Sequence, residues 1–223
     1  MLYINVFELF TQINKILNLS MNNITKDNIT GVILAGGQAR RMEGQDKGLV
    51  MLGDQPMIKY ILDIFEPQVA KVIINANRNH DDYARFGHEV VADELSGYCG
   101  PLAGMASALS KITTPYIVTT PCDSPFIPMK LVERLKNKII EDNAEICVAS
   151  DGKRIQPVFC MMQRNLLPSL RNYLEQGERK IDRWFEQHQL TIADFSDTPE
   201  AFYNINTPEE VEEAISKLNQ VER

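Results

Sequence analysis

The sequence predicts a single α/β domain on a mainly parallel, doubly wound sheet, with a small antiparallel excursion near residues 145–161. Three observations carry that expectation. Short β-rich apolar runs alternate with stretches of helical periodicity, the pattern of strands laid side by side while helices return over both faces. The first of these runs ends in a loop dense in glycine and cation, and parallel sheets bind ligands at that end of a strand. Finally, 223 residues with a hydrophobic share of 44% can bury one sizeable core, which suits one domain better than two.

The elements follow in order. Before the first strand, residues 1–28 carry Leu2, Ile4, Val6, Phe7, Leu9, Phe10, Ile13, Ile16 and Leu17 among polar residues. A signal peptide would need a basic start, an unbroken apolar run and a small-residue cleavage site, whereas the spacing of Phe10, Ile13, Ile16 and Leu17 is nearer an amphipathic helix. Residues 20–28 read as a polar linker. Residues 30–35 are the first strand. Residues 48–52 are extended, Gly53-Asp54 turns the chain, and Pro56 opens a helix that places Met57, Ile58, Ile61, Leu62 and Phe65 on one face, ending near Pro67.

Residues 69–75 form the next strand, with Asn75 and Asn77 at its carboxyl end, and the short strand 89–92 runs directly into Asp93. Gly100-Pro101 starts a helix of small residues (Ala103, Gly104, Ala106, Ser107, Ala108), which lets a ligand or the sheet come close. Strand 116–120 leads into Pro121-Cys-Asp-Ser-Pro125, and Pro128 begins a helix with Leu131, Val132, Leu135 and Ile139 facing the core. Residues 145–149 and 155–161 read as strands around an Asp151-Gly152 turn, with Pro157 marking an edge or a bulge. Residues 166–174 and 181–185 are helical and 190–195 are the last strand. Thr207 as N-cap, Pro208 at the first helical position and Glu210 closing a capping box open the final helix, whose apolar face is Val211, Ala214, Ile215 and Leu218.

A formal net charge of -7 argues against general nucleic-acid binding, so the cations Arg40, Arg41 and Lys47 stand out against an acidic background and point to a small anionic ligand. Cys99, Cys122, Cys147 and Cys160 lie far apart, with no C-x-x-C pair, and read as reduced core thiols of a cytoplasmic protein. No apolar run has the length of a membrane span. His80, His88 and His188 sit in polar contexts and read as surface residues rather than bases.

Gly36 and Gly37 allow backbone conformations closed to residues with a Cβ, so successive N–H groups can turn around an anion, while Arg40, Arg41 and Lys47 supply charge. The loop matches neither the Walker A spacing nor the dinucleotide fingerprint. A nucleoside triphosphate normally arrives with Mg²⁺, which takes oxygen ligands and uses one or two carboxylates. Asp123, ending an apolar strand beside the loop, is the candidate metal ligand, and Asp93 is a second ligand or a contact to the nucleotide. Taken singly, an aspartate after a strand more often makes an Asx-turn or a cap; two of them opposite a cationic loop favour a site. Nucleotidyl transfer needs no enzyme nucleophile, only positioning and charge neutralisation, in which Arg41 and Lys47 would offset charge on the leaving pyrophosphate.

The ordered blocks Leu34-Ala-Gly-Gly37, Arg41-Met42, Asp46-Lys47-Gly48, Asn75-Ala-Asn77, Gly100-Pro-Leu-Ala-Gly-Met105, Pro121-Cys-Asp-Ser-Pro125, Gly177-Glu-Arg179 and Asn204-Ile-Asn-Thr-Pro-Glu-Glu210 cover nearly everything after Ile29. Together they resemble the molybdenum cofactor guanylyltransferases of the MobA type, nucleotidyltransferases with a Rossmann-like fold. The resemblance implies transfer of GMP from GTP to the phosphate of molybdopterin, with release of pyrophosphate. It implies that Leu34, Ala35, Gly36, Lys47, Asn75, Asp93 and Asp123 bind GTP, that Asp123 also holds Mg²⁺, and that Arg179, Asn204 and Asn206 lie toward the pterin acceptor. Gly37 belongs with the same phosphate cradle. Expected partners are small-molecule substrates, with transient contacts to other molybdenum cofactor biosynthesis proteins and acceptor apoenzymes, and with neither nucleic acid nor membrane. Because the resemblance begins near Ile29, Met21 is an alternative start and residues 1–20 upstream sequence; an N-terminal peptide beginning at Met1 in the native protein would exclude this.

One position departs from the pattern. Glu43-Gly44 stands where the family usually has a glycine pair, and Glu43→Gly is expected to leave activity equal or higher, a large loss of turnover showing a positive role for Glu43. The nearest rival reading is a sister transferase using CTP or another sugar- or cofactor-phosphate acceptor. Sister cytidylyltransferases resemble L-A-A-G in the loop, so Gly37 favours a purine. A non-catalytic molybdopterin carrier is the rival of another class, and Lys47 together with Asp123 speaks against it.

Overall fold

The computed structural model describes residues 24–37, 45–95 and 99–221. The expected alternative start at Met21, most of the extension, and Arg40, Arg41 and Glu43 lie outside the described residues.

A seven-stranded sheet runs in the order β5-β4-β1-β6-β8-β7-β9. Its strands are β1 (Ile29–Leu34), β4 (Lys71–Asn75), β5 (Glu89–Val91), β6 (Tyr116–Pro121), β7 (Ile146–Ser150), β8 (Ile155–Gln163) and β9 (Leu190–Asp194). β1 pairs in parallel with β4 and β6, β4 with β5, and β7 with β9, while β8 is antiparallel to both β6 and β7. One strand therefore opposes the rest. The predicted antiparallel excursion is real but lies inside the main sheet: β8 is inserted between β6 and β7. A separate two-stranded sheet, β2 (Met51–Leu52) with β3 (Gln55–Pro56), closes over Gly53 at φ +73.

Alternation along each strand makes the sheet two-faced, since successive side chains point to opposite sides. Ile29 and Ile33 of β1, Val72 and Ile74 of β4 and Met161 of β8 share one core layer with α1 (Met57–Phe65) and α4 (Leu131–Asp142), which contribute Ile58, Ile61, Phe65, Leu131, Leu135 and Ile139. Val32, Ile73, Ile117, Val148 and Met162 face the other layer, filled by Leu102, Met105 and Leu109 of α3 (Pro101–Lys111), Leu170 and Tyr173 of α5 (Leu167–Glu175), and Trp184 and Phe185 of α6 (Ile181–Phe185). The sheet is doubly wound, as predicted. A short helix, α2 (His80–Ala84), sits between β4 and β5.

Several boundaries differ from expectation, and of residues 48–52, expected to be extended, only Met51–Leu52 form a strand, Lys47–Leu49 being a 3-10 turn. The helix expected from Pro128 begins at Leu131, because Pro128 spends its carbonyl on the Leu131 N–H in a preceding turn (3.0 Å). The strand expected from residue 69 begins at Lys71. The closing helix α7 (Pro208–Val221) has the predicted capping box: Thr207 Oγ1 accepts from the Glu210 N–H at 3.3 Å, and Glu210 Oε2 accepts from the Thr207 N–H at 3.1 Å. All four cysteines are buried and none is in a disulfide, and burial pushes the Cys147 and Cys160 thiols up to about 12.

Candidate active site

The carboxyl ends of β5, β4, β1 and β6 line one edge of the sheet, and a cleft of about 600 Å³ runs along it. Its lining includes Leu34, Gly36 and Gly37 after β1, Asn75 at the end of β4, Asp93 after β5, Pro121 and Asp123 after β6, and Asn204 from the tail. A recess of about 140 Å³ beside it is lined by Ala35, Asp46, Lys47, Cys122 and Asp123 among others. The structure thus gathers nearly all the described residues expected to form the site. Arg179 stands apart: it is absent from the cleft lining and donates to the carbonyls of Leu174 (2.7 Å) and Glu178 (2.6 Å).

Lys47 and Asp123 are the centre of the arrangement. Lys47 Nζ donates to Asp123 Oδ2 at 2.8 Å and to Asn206 Oδ1, so the tail expected at the acceptor also holds the loop lysine. The ammonium has three N–H groups, and these two bonds leave one to reach a phosphate oxygen. The other carboxylate oxygen of Asp123, Oδ1, is buried without a hydrogen-bond partner among the described residues. A buried anionic oxygen left unpaired is costly unless something cationic meets it, and a single carboxylate with phosphate and water oxygens is how Mg²⁺ is commonly held. The residues present therefore fit that ion.

The tail reaches this point through direct bonds. Ser124, fully buried, donates to Asn204 Oδ1 (2.6 Å), and the Ile205 N–H donates to the Asp123 carbonyl (2.8 Å).

On the β4–β5 side the asparagines fix Asp93. Asn75 Nδ2 donates to Val91 O (3.0 Å) and Asp93 Oδ1 (2.9 Å), Asn77 Nδ2 donates to Asp93 Oδ2 (2.8 Å), and the Asp93 N–H donates to Asn77 Oδ1 (2.8 Å). The small-residue helix serves the sheet rather than a ligand at Gly104, where an added Cβ would stand 2.2 Å from Asn75 Oδ1.

The glycine pair works differently from expectation. Neither Gly36 nor Gly37 has a left-handed φ; Gly36 provides room, since a Cβ there would stand 3.0 Å from Asn77 Nδ2, and a Cβ at Gly37 would meet nothing within 4 Å among the described residues. The Gly37 carbonyl accepts from Arg78 Nη2 at 3.5 Å.

Sequence reasoning missed the support beneath Lys47. Asp46, 5% exposed, accepts a hydrogen bond from the fully buried Tyr83 hydroxyl and another from Asn79 Nδ2 (3.3 Å), and pairs with Arg78 Nε at 3.4 Å. Burial, together with nearby negative charge, raises the Tyr83 phenol far above its ordinary value, so it stays a donor. Asp46 was visible in the Asp46-Lys47-Gly48 block, but nothing local marks Tyr83 as its partner.

The histidines are not at the cleft. His80 is exposed; His88 and His188, expected at the surface, are half-buried, with His88 Nε2 2.8 Å from Glu66 Oε1, and His188 3.0 Å from Ser169 Oγ and edge-on to Trp184.

A sheet edge that gathers a phosphate-sized recess, a lysine and one metal-competent carboxylate, without a nucleophile and base pair among the described residues, is an arrangement of the nucleotidyltransferase class. The profile of the MobA-like NTP transferase domain matches residues 31–192, and the chain belongs to that family. A molybdenum cofactor guanylyltransferase from Shewanella sediminis is 52% identical over 192 residues, 85% of this chain and 98% of the relative. Another from Shewanella loihica is 53% identical over 182 residues, 82% of this chain and 93% of the relative. Among solved structures, molybdopterin-guanine dinucleotide biosynthesis protein A from Archaeoglobus fulgidus aligns with a TM-score of 0.73 at 22% identity, over 86% of this chain and 99% of that one, a likeness of fold alone.

Proposed function

We propose that this protein transfers GMP from GTP to the terminal phosphate of molybdopterin, releasing pyrophosphate. Relatives about half identical over almost their whole length carry the guanylyltransferase name, and the Lys47–Asp123 pair at the head of the cleft is the observation that supports the chemistry here. An oxygen of the acceptor phosphate forms the new bond to the α-phosphorus, the bond from that phosphorus to the bridging oxygen breaks, and pyrophosphate leaves with the electron pair; no redox partner is required. Asp123 Oδ1 would hold Mg²⁺, which when bound supplies Lewis-acid stabilisation of charge on the transferring phosphoryl group. Lys47 directs its remaining N–H to the phosphates, and Arg41 adds a guanidinium to the same charge. Leu34, Ala35, Gly36, Gly37, Asn75 and Asp93 form the donor side, and Asn204 and Asn206 close the acceptor side. Arg179 joins the acceptor only as a residue proposed from the resemblance.

Pyrophosphate release with GTP, Mg²⁺ and molybdopterin, compared against CTP and ATP, tests the reading. Release with GTP well above the other nucleotides is expected, and release with CTP alone, or with none, would overturn it. A soluble small-molecule enzyme working in the cytoplasm, with transient contacts to cofactor-biosynthesis proteins and acceptor apoenzymes, is the setting this proposes; no helix among the described residues is long and apolar enough to cross a membrane.

A further inference from the structure

We infer that the acceptor seats against residues 154–158 at the start of β8, with Arg154 binding its anionic group and Ile155, Pro157 and Val158 flanking its planar ring. The inference deepens the proposed transfer and rests on it for the identity of the acceptor, a pterin carrying a phosphate monoester.

The topology sets the direction. Because β8 alone runs antiparallel, its first residues arrive at the same sheet edge as the carboxyl ends of the other strands, next to Asp123 and on the side away from Leu34, Asn75 and Asp93. The metal carboxylate therefore stands between two halves of one cleft. A transferase places donor and acceptor on opposite sides of the reacting phosphorus, and the β1–β4–β5 half is the one taken by the glycine turn.

Local structure opens that second half. The β6–β8 ladder runs only through Tyr116–Val118 against Met161–Gln163, and past it the Thr119 hydroxyl, which donates to the Val158 carbonyl, takes the place of backbone pairing. On the other side, β7 pairs Val148 with Cys160 but Ala149 with Gln156, so Pro157, Val158 and Phe159 are left out of that ladder. Such irregularities re-aim side chains, and a proline is tolerated there because it has no N–H to lose. The result is visible in burial: residues 155–158 are all half-buried, whereas residues 159–162 are buried throughout. All six residues 154–159 line the cleft.

The turn that carries this wall is fixed in advance. Asp151 Oδ1 accepts from the N–H groups of Lys153 and Arg154, each at 2.8 Å, and Asp151 Oδ2 accepts from Gln156 Nε2 at 2.8 Å and lies 3.7 Å from Arg154 Nε. Gly152 has φ +86, and a Cβ there would stand 2.6 Å from Ser196 Cβ, so the turn is also seated on the segment after β9. Arg154 is the one cation in the cleft lining among the described residues, against the carboxylates of Asp93 and Asp123. An acceptor phosphate therefore finds its charge partner on this wall, and half-buried apolar side chains suit a flat heterocycle.

The test compares wild type with Arg154→Ala and Arg154→Lys, measuring turnover against molybdopterin at saturating GTP and, separately, GTP affinity with Mg²⁺ by calorimetry. The Arg154 side chain is 76% exposed, so both variants are expected to melt with the wild type. Arg154→Ala should raise the molybdopterin KM on the order of tenfold, as for a lost charge-assisted bond, with GTP affinity within about twofold and Arg154→Lys intermediate. An unchanged molybdopterin KM overturns the subsite, and so does a parallel loss of GTP affinity, which would assign Arg154 to the donor. Should the wild type transfer nothing, the transferase reading itself falls, and retention of molybdopterin in equilibrium ultrafiltration then decides the subsite. Weaker retention by Arg154→Ala than by wild type upholds it, and equal retention sinks it.

Discussion

Lys47 Nζ and Asp123 Oδ2 meet at 2.8 Å across 76 residues of sequence, joining the loop after β1 to the end of β6. The pair leaves Asp123 Oδ1 buried and unpaired, so the carboxylate is half satisfied by the protein itself. Asp123→Asn keeps the shape but removes the charge, and it is expected to lower Mg²⁺-dependent turnover on the order of a hundredfold or more while the melting temperature changes little. Lys47→Ala should instead raise the GTP KM on the order of tenfold. Steady-state kinetics across Mg²⁺ concentrations check both, and near-normal rates in Asp123→Asn would remove Asp123 from the chemistry.

Gly104 and Asn75 give a prediction on the donor side. An added Cβ at 104 would stand 2.2 Å from Asn75 Oδ1 and 2.9 Å from its Cγ. Asn75 is 2% exposed and anchored to Val91 and Asp93, so it cannot swing aside without breaking those bonds. Gly104→Ala is expected to lower stability by about 1–3 kcal/mol, as overpacking does, and to weaken GTP binding through Asp93. Denaturant midpoints read the first effect and calorimetry the second.

Cys147 and Cys160 give a pH dependence. Burial raises both thiols from an ordinary 9.0 to about 12, so the folded state keeps them protonated where the unfolded chain releases the proton. The folded-state value lies above the unfolded one, so their contribution to stability is whole below about pH 9 and is lost as pH rises toward 12. Urea midpoints should therefore fall over that range, and Cys147→Ala/Cys160→Ala should flatten the fall. A thiol reagent at pH 8 should label these two positions only after unfolding.

Much of the fold was legible because its signals are local. The short apolar run of β1, the amphipathic face of α1 and the Thr207–Glu210 capping box each specify structure within a few residues, and each is found, β1 one residue earlier than read. The Asp46-Lys47-Gly48 and Pro121-Cys-Asp-Ser-Pro125 blocks likewise marked the two ends of the central ion pair. Non-local choices were not legible. Nothing within residues 145–163 says that β8 enters the main sheet between β6 and β7 instead of forming a side hairpin, because that depends on which edges remain free. The role of Gly36 also followed from a neighbour: Asn77 Nδ2 would crowd a Cβ there at 3.0 Å, and no left-handed backbone is involved.

The Tyr83–Asp46 contact is the clearest case of such long-range dependence, and it yields the last prediction. Gly48 lets the ring in, since a Cβ at 48 would stand 2.6 Å from Tyr83 Oη. The hydroxyl then donates to Asp46, whose carbonyl starts the turn carrying Lys47 by accepting the Leu49 N–H at 2.9 Å. Tyr83→Phe removes that donor and leaves the buried carboxylate to Asn79 at 3.3 Å and Arg78 at 3.4 Å. Losing a hydrogen bond to a buried charged group destabilises by about 1–3 kcal/mol. If the contact also aims Lys47, the GTP KM should rise several-fold while the molybdopterin KM stays near wild type, because the lysine handles the triphosphate. Asp46→Asn should give the same split, with a larger loss of stability because Arg78 then faces a neutral amide. Wild-type kinetics in a destabilised Tyr83→Phe would make the contact a fastening of α2 and nothing more.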